Sequence, residues 1–228
     1  MRRICRYLPL SLLLLFCLQL ASAQSAFDVN VGFGTHLDKS LGSVDINTLN
    51  TCSSTSSATC SQTPDLSGFF MGFGGNLMLW KHFGVGAEAT FQPAKKDYLV
   101  FQQQGAVQFG DILQERTTFY DFNGVYQPYA SKKVSFQLLG GIGGANVKFY
   151  EKVSSNSSLL GNSQYTQLFG SSNHFQIHAG AGVQIYATEH VFIRPQLDFR
   201  FVPNFSQFKR NTVPGFMVWL GYSFGDRP

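Results

Sequence analysis

Charge is scarce in this chain: Asp, Glu, Lys and Arg make up 13% of its 228 residues. A soluble domain carries about 25%. Disorder is also excluded, because 15% of the residues are aromatic and 44% are hydrophobic. Cysteine is nearly missing, with four in all: Cys5, Cys17, Cys52 and Cys60. No second Cys or His pair stands at ligand spacing, which argues against a metal site. No phosphate loop, dinucleotide fingerprint, zinc-protease motif or paired-carboxylate pattern occurs, so no cofactor is expected. After Ala23 no apolar run is long enough for a spanning helix, which takes about 20 residues.

What is present begins with a leader. Arg2, Arg3 and Arg6 precede the apolar stretch Leu8–Leu20, and Ala21-Ser22-Ala23 is a small-residue cleavage site. Residues 1–23 therefore read as a signal peptide, leaving residues 24–228 as one mature domain. The leader takes three of the 17 basic residues and no acid, so 14 basic face 13 acidic residues in the remainder. That balance gives no basic field for nucleic acid. Cys52 and Cys60 stay in the exported part, and a disulfide between them is expected in an oxidising compartment.

The mature part alternates with period two. Eight strand-like segments are expected, at 26–38, 66–80, 84–101, 115–129, 134–150, 174–188, 191–206 and 215–225. Short turns at 81–83, 130–133 and 189–190 alternate with long polar stretches at 39–65, 102–114, 151–173 and 207–214. Tight turns on one side and longer loops on the other are the pattern of a membrane barrel. Pro195 sits inside the seventh segment, where it removes a ladder donor, so a bulge or a local pairing gap is expected there.

One phase of the alternation is apolar, as in Phe27, Val29, Val31 and Phe33, or Phe216, Val218, Leu220, Tyr222 and Phe224. The other phase holds glycines and polar groups, among them Asp28, Glu88, Asp121, Arg194, Asp198 and Arg200. Aromatics cluster at both ends of the apolar face, as interfacial girdles do. An Arg facing lipid at mid-depth costs roughly 2–4 kcal/mol, so the charged phase must face a lumen. A soluble sandwich with one polar face is the less favoured alternative. The expectation is an all-β fold, an eight-stranded antiparallel up-and-down transmembrane β-barrel.

The leader, the eight segments and the C-terminal Gly221-Tyr222-Ser223-Phe224 resemble the outer-membrane β-barrel family that includes the OmpA transmembrane domain and OmpX. The resemblance covers the whole mature part. It implies an integral protein of the Gram-negative outer membrane, surrounded by outer-membrane lipid. It implies periplasmic chaperones and the barrel-assembly machinery as partners in biogenesis, with Tyr222 and Phe224 as the C-terminal assembly signal. With no periplasmic domain following, a cell-wall anchor is not expected.

An eight-stranded barrel is just wide enough for side chains to fill it. Asp28, Glu88, Asp121, Arg194, Asp198 and Arg200 are therefore expected to form a polar lumen network, not to line a channel. The histidines His36, His82, His174, His178 and His190 lack a context that marks a nucleophile and its base, so no catalytic residue is assigned. The external loops are the expected functional surface. The region Lys95–Phe101 with Phe109–Thr118 is read as a hairpin projecting above the bilayer, able to bind an extracellular partner by strand addition. The first functional expectation is a non-enzymatic structural or surface-interaction barrel serving adhesion or envelope integrity. The alternatives are a small-solute porin and a lipid-modifying enzyme.

Overall fold

The computed structural model describes residues 26–37, 58–62, 67–103, 108–157, 161–205 and 211–225. The leader and Cys52 lie outside the described residues, and only the backbone of Cys60 is described. Ten strands follow in order: β1 (Phe27–His36), β2 (Ala58–Gln62), β3 (Gly68–Met78), β4 (Phe83–Phe91), β5 (Lys96–Gln103), β6 (Gln108–Ala130), β7 (Val134–Ser157), β8 (Gly161–Tyr186), β9 (Val191–Phe201) and β10 (Thr212–Phe224).

Eight of the ten close a ring in the order β1-β3-β4-β6-β7-β8-β9-β10, each antiparallel to the next. β10 returns to β1 in unbroken register from Phe27↔Phe224 to His36↔Gly215. Closure leaves the ring no open edge at membrane depth, where water cannot satisfy backbone groups. β2 and β5 are not staves of the ring. β5 pairs with the upper part of β6, and β2 pairs with β5.

Several boundaries differ from the sequence-based expectation. The segment 84–101 is not one strand, because Gln92–Lys95, with Pro93, break it into β4 and β5. The stretch 151–173 is not a loop: β7 and β8 run on as a ladder up to Ser157↔Gly161. Pro195 faces Val218 in an undisturbed β9–β10 register, whereas the β8–β9 ladder skips from Gly182↔Gln196 to Ile185↔Ile193. The missing donor thus coincides with a local pairing gap on the β8 side. A second irregularity, around Pro128, shifts the β6–β7 register between Tyr126 and Tyr129.

The two faces sort as physics requires. Phe27, Tyr126, Phe136, Tyr222 and Phe224 are exposed toward the short turns, and Phe69, Tyr120, Phe175, Phe201 and Phe216 toward the long connections. His82 and His190 lie in short turns and tie them to neighbouring strands. His82 Nδ1 donates to the Gln127 carbonyl at 2.8 Å and His190 Nδ1 to the Ser223 carbonyl at 3.0 Å.

Candidate functional site

The six charged side chains expected in the lumen are all buried: Asp28, Glu88, Asp121, Arg194, Asp198 and Arg200. Arg194 on β9 crosses the barrel to β4, the strand diametrically opposite in the ring. Its Nη2 donates to Glu88 Oε1 at 2.6 Å, and its Nη1 to Gln137 Oε1 at 2.8 Å. The second Glu88 oxygen accepts from Gln196 Nε2 at 2.9 Å, and the same amide donates to Asp198 Oδ1 at 2.8 Å. Asp198 Oδ1 also stands 2.9 Å from His178 Nε2, whose Nδ1 is 2.8 Å from Asn123 Oδ1.

Arg200, two residues further along the same face than Asp198, takes a different acid. Its Nε and Nη2 both donate to Asp121 Oδ2, at 3.0 and 2.8 Å, and Gln176 Nε2 donates to the other oxygen at 2.5 Å. Arg200 Nη1 lies 3.2 Å from His36 Nδ1, while His36 Nε2 faces Thr90 Oγ1 at 3.2 Å. Accepting from an arginine at Nδ1 leaves Nε2 to donate to the threonine. Asp28 sits apart from both arginines. It accepts from Gln184 Nε2 at 3.0 Å, and Gln184 Oε1 accepts in turn from Ser135 Oγ and Tyr186 OH.

Contrary to expectation, the lumen is not filled by polar and charged side chains alone. Phe70, Phe119, Val147, Phe205, Met217 and Trp219 form an apolar cluster in its upper part. Ala26, Met78, Val125 and Leu139 form a smaller one toward the short turns. The physical reason is volume: a closed, dry interior must be filled, and polar groups with partners to satisfy cannot fill all of it. Glycines make the room. A Cβ on Gly32 would lie 2.5 Å from Trp219 Cε3, and one on Gly72 would lie 2.7 Å from Cη2 of the same ring. The Trp219 indole thus occupies the side-chain space of two glycines. It also carries the Arg194 guanidinium, 5.5 Å from the ring, and Phe119 carries that of Arg200 at 5.0 Å. His36, Trp219, Phe70 and Phe119 were not singled out from sequence as members of this network. Their signal was present, since each shares the phase of the charges and His36 and Trp219 each face a glycine across a strand pair.

The arrangement can hold two buried cations and three carboxylates in fixed geometry. The paired side chains of this charged belt are 0–1% exposed. Tyr222 and Phe224 stand at the seam between first and last ring strands, where Tyr222 stacks on His190 and Phe224 on Phe27.

The family model for an outer membrane protein β-barrel domain matches residues 8–226. Among solved structures, the chain is similar to Ail, the attachment invasion locus protein of Yersinia pestis, solved in complex with the heparin analogue sucrose octasulfate. Identity is 14%, over 88% of this chain and 99% of that one, with a TM-score of 0.49. OprG from Pseudomonas aeruginosa is 17% identical over 90% of this chain and 98% of that one, with a TM-score of 0.45. The outer membrane protease OmpT from Escherichia coli is 9% identical over 89% and 96%, with a TM-score of 0.40. No curated protein matches the sequence.

Proposed function

The chain belongs to the outer membrane protein β-barrel family of the bacterial outer membrane, and on that premise we propose a non-enzymatic barrel with a sealed lumen that works through its external surface. The observation that carries this reading is the Arg194–Glu88 pair, 2.6 Å long and spanning opposite walls of the lumen. A cation tied across the full width of a narrow barrel is a crossbar, not a pore lining. The arginine is held by an amide and a carboxylate at once, so moving it aside would strand Glu88 in a dry interior.

The outer surface supports the interaction half of the proposal. A strand needs about 10 residues to span the membrane, but β7 has 24 and β8 has 26. The stretch Ala145–Ser157 continues above the upper aromatic residues for roughly 40 Å of strand. Above Ile177, β8 is paired with β7 but not with β9. No Asp, Glu, Lys or Arg occurs from Val153 to Thr188, so this rim lacks the charges that usually blunt a strand edge. Leu168 and Phe169 are exposed on it. An adhesive or envelope-stabilising contact made by strand addition fits these features. In the same reading residues 1–23 are the export leader, Cys52 and Cys60 clamp the first external loop, and Tyr222 and Phe224 are read by the assembly machinery.

Conductance of the purified protein in planar bilayers tests the sealed lumen. No stable openings are expected. Sizeable steady openings whose amplitude changes when Arg194 or Arg200 is substituted would establish a pore instead.

A further inference from the structure

The lipid-facing wall is not uniform. Around β4 the outward positions are small: Ala87 and Ala89 on β4, Gly75 on β3 and Gly124 on β6. Large outward rings stand on both sides, Phe73 on one and Phe122 on the other. Between them runs an open apolar trough of about 1000 Å³. Phe73 and Ala89, at its upper end, also line a second hollow of about 250 Å³, together with Phe91, Thr118, Arg116 and Lys148.

That second hollow has an unusual electrostatic design. Arg116 and Lys148 lie directly opposite each other on β6 and β7, an arrangement that destabilises a strand pair when both residues carry the same charge. Among the described residues neither makes an ion pair. Arg116 is nevertheless held in place, with its Nε donating to the Gln92 carbonyl at 2.9 Å. Lys95 adds a third cation beside them, 4.0 Å above the ring of Tyr150, which is two residues beyond Lys148 on β7. The three cations sit just above the Phe91↔Thr118 pair, at the level of the upper girdle. Cations at the headgroup level, directly over an apolar trough, complement an anionic lipid and nothing simpler.

We propose that this wall binds one phosphorylated, acylated lipid of the outer leaflet, its phosphate between Arg116 and Lys148 and its acyl chains in the trough over Ala87 and Ala89. A guanidinium and an ammonium converging on one phosphate make charge-assisted hydrogen bonds and relieve the repulsion between them. Free phosphate would leave the trough unexplained. A second copy of the chain, inserted in the same sense, would bring the same cations to the same depth and repel.

Native mass spectrometry of the full-length protein in zwitterionic detergent tests the proposal, with bisphosphorylated lipid A, its dephosphorylated form and inorganic phosphate as probes. One bound lipid A is expected. Arg116→Gln with Lys148→Gln is expected to weaken binding about tenfold or more, the scale of one lost charged hydrogen bond. Ala87→Trp, which fills the trough with an apolar ring, is expected to weaken it as well. Heat-modifiable gel mobility verifies that each variant folds, and Lys148→Glu alone, at an exposed position, serves if the double variant does not. Undiminished binding by the charge variants, or equal affinity for the dephosphorylated lipid, would overturn the phosphate assignment. Undiminished binding by Ala87→Trp, or equal competition by inorganic phosphate, would overturn the acyl-chain assignment.

Discussion

Replacing Glu115 with Gln should abolish a pH dependence in the external hairpin. Glu115 lies three residues beyond Thr118, the β6 partner of Phe91, and therefore above the membrane-spanning part. It is buried, and among the described residues it has no ion-pair partner. Burial pushes its carboxyl up from 4.5 to about 7, against the opposing pull of hydrogen bonds from Gln92 and Thr117 and the charge of Lys96. Below pH 4.5 the carboxyl is neutral in both folded and opened hairpin. Between 4.5 and 7 the opened hairpin ionises and the folded one does not, so stability falls as pH rises through this window. The shift corresponds to about 3 kcal/mol at 1.36 kcal/mol per unit.

Glutamine keeps the geometry. Its oxygen accepts from Gln92 Nε2, as Glu115 Oε1 does at 3.0 Å, and its amide donates to Thr117 Oγ1, the partner of Oε2 at 2.9 Å. The assay is amide hydrogen exchange across β5 and the upper part of β6 in the refolded protein, corrected for intrinsic rates, at pH 5 and pH 8. The wild type should lose protection at the higher pH, and Glu115→Gln should be protected equally at both. Equal protection of the wild type at both values, or an unchanged pH dependence in the variant, would refute the reasoning.

Two further substitutions probe the lumen. Arg194→Met leaves Glu88 buried without its cation and should destabilise the barrel by about 3–5 kcal/mol, read as a shifted midpoint in urea-driven unfolding from micelles. Adding Glu88→Leu should restore much of the loss; a double variant as weak as the single one would show that the pair is not the source. Gly32→Ala forces a Cβ to 2.5 Å from Trp219 Cε3 and should cost about 1–3 kcal/mol by overpacking. The same change in a Trp219→Leu background should be nearly neutral, and an equal cost in both backgrounds would refute the proposed filling of glycine space by the indole.

These expectations rest on features that the sequence displays unevenly, and the unevenness has a cause. Within the membrane the two faces of each strand meet different media, lipid and lumen. The pattern is therefore loud: Phe199 and Phe201 face out while Asp198 and Arg200 face in, with no exception on that stretch. Higher on β8, the consecutive residues Thr166–Phe169 are all exposed, so both faces meet water there and nothing enforces alternation. The Ser-, Asn- and Gln-rich run 151–173 then reads as loop although it is ladder. The break at Pro93 is the reverse case. Apolar residues resume beyond it in Tyr98, Leu99 and Val100, so the interruption is visible only as a lone proline.

The lumen shows a second limit. Which residues face inward follows from phase, but which of them meet does not. Arg194 and Glu88 are 106 positions apart and on opposite walls. Their meeting depends on how far the register climbs around the ring, which no local pattern encodes. Had the stagger been two residues different, Arg194 would face Gly86 or Thr90 instead, and the charges would be stranded. The stagger and the charge pairs therefore specify each other. A register slip by two keeps every greasy side chain in lipid, so the lipid face alone cannot prevent it. Only the buried ions and the glycine–Trp219 fit penalise it. On this view the lumen network contributes uniqueness of register more than net stability, and the costly residues of the interior are what choose one barrel from several that the alternating pattern would allow.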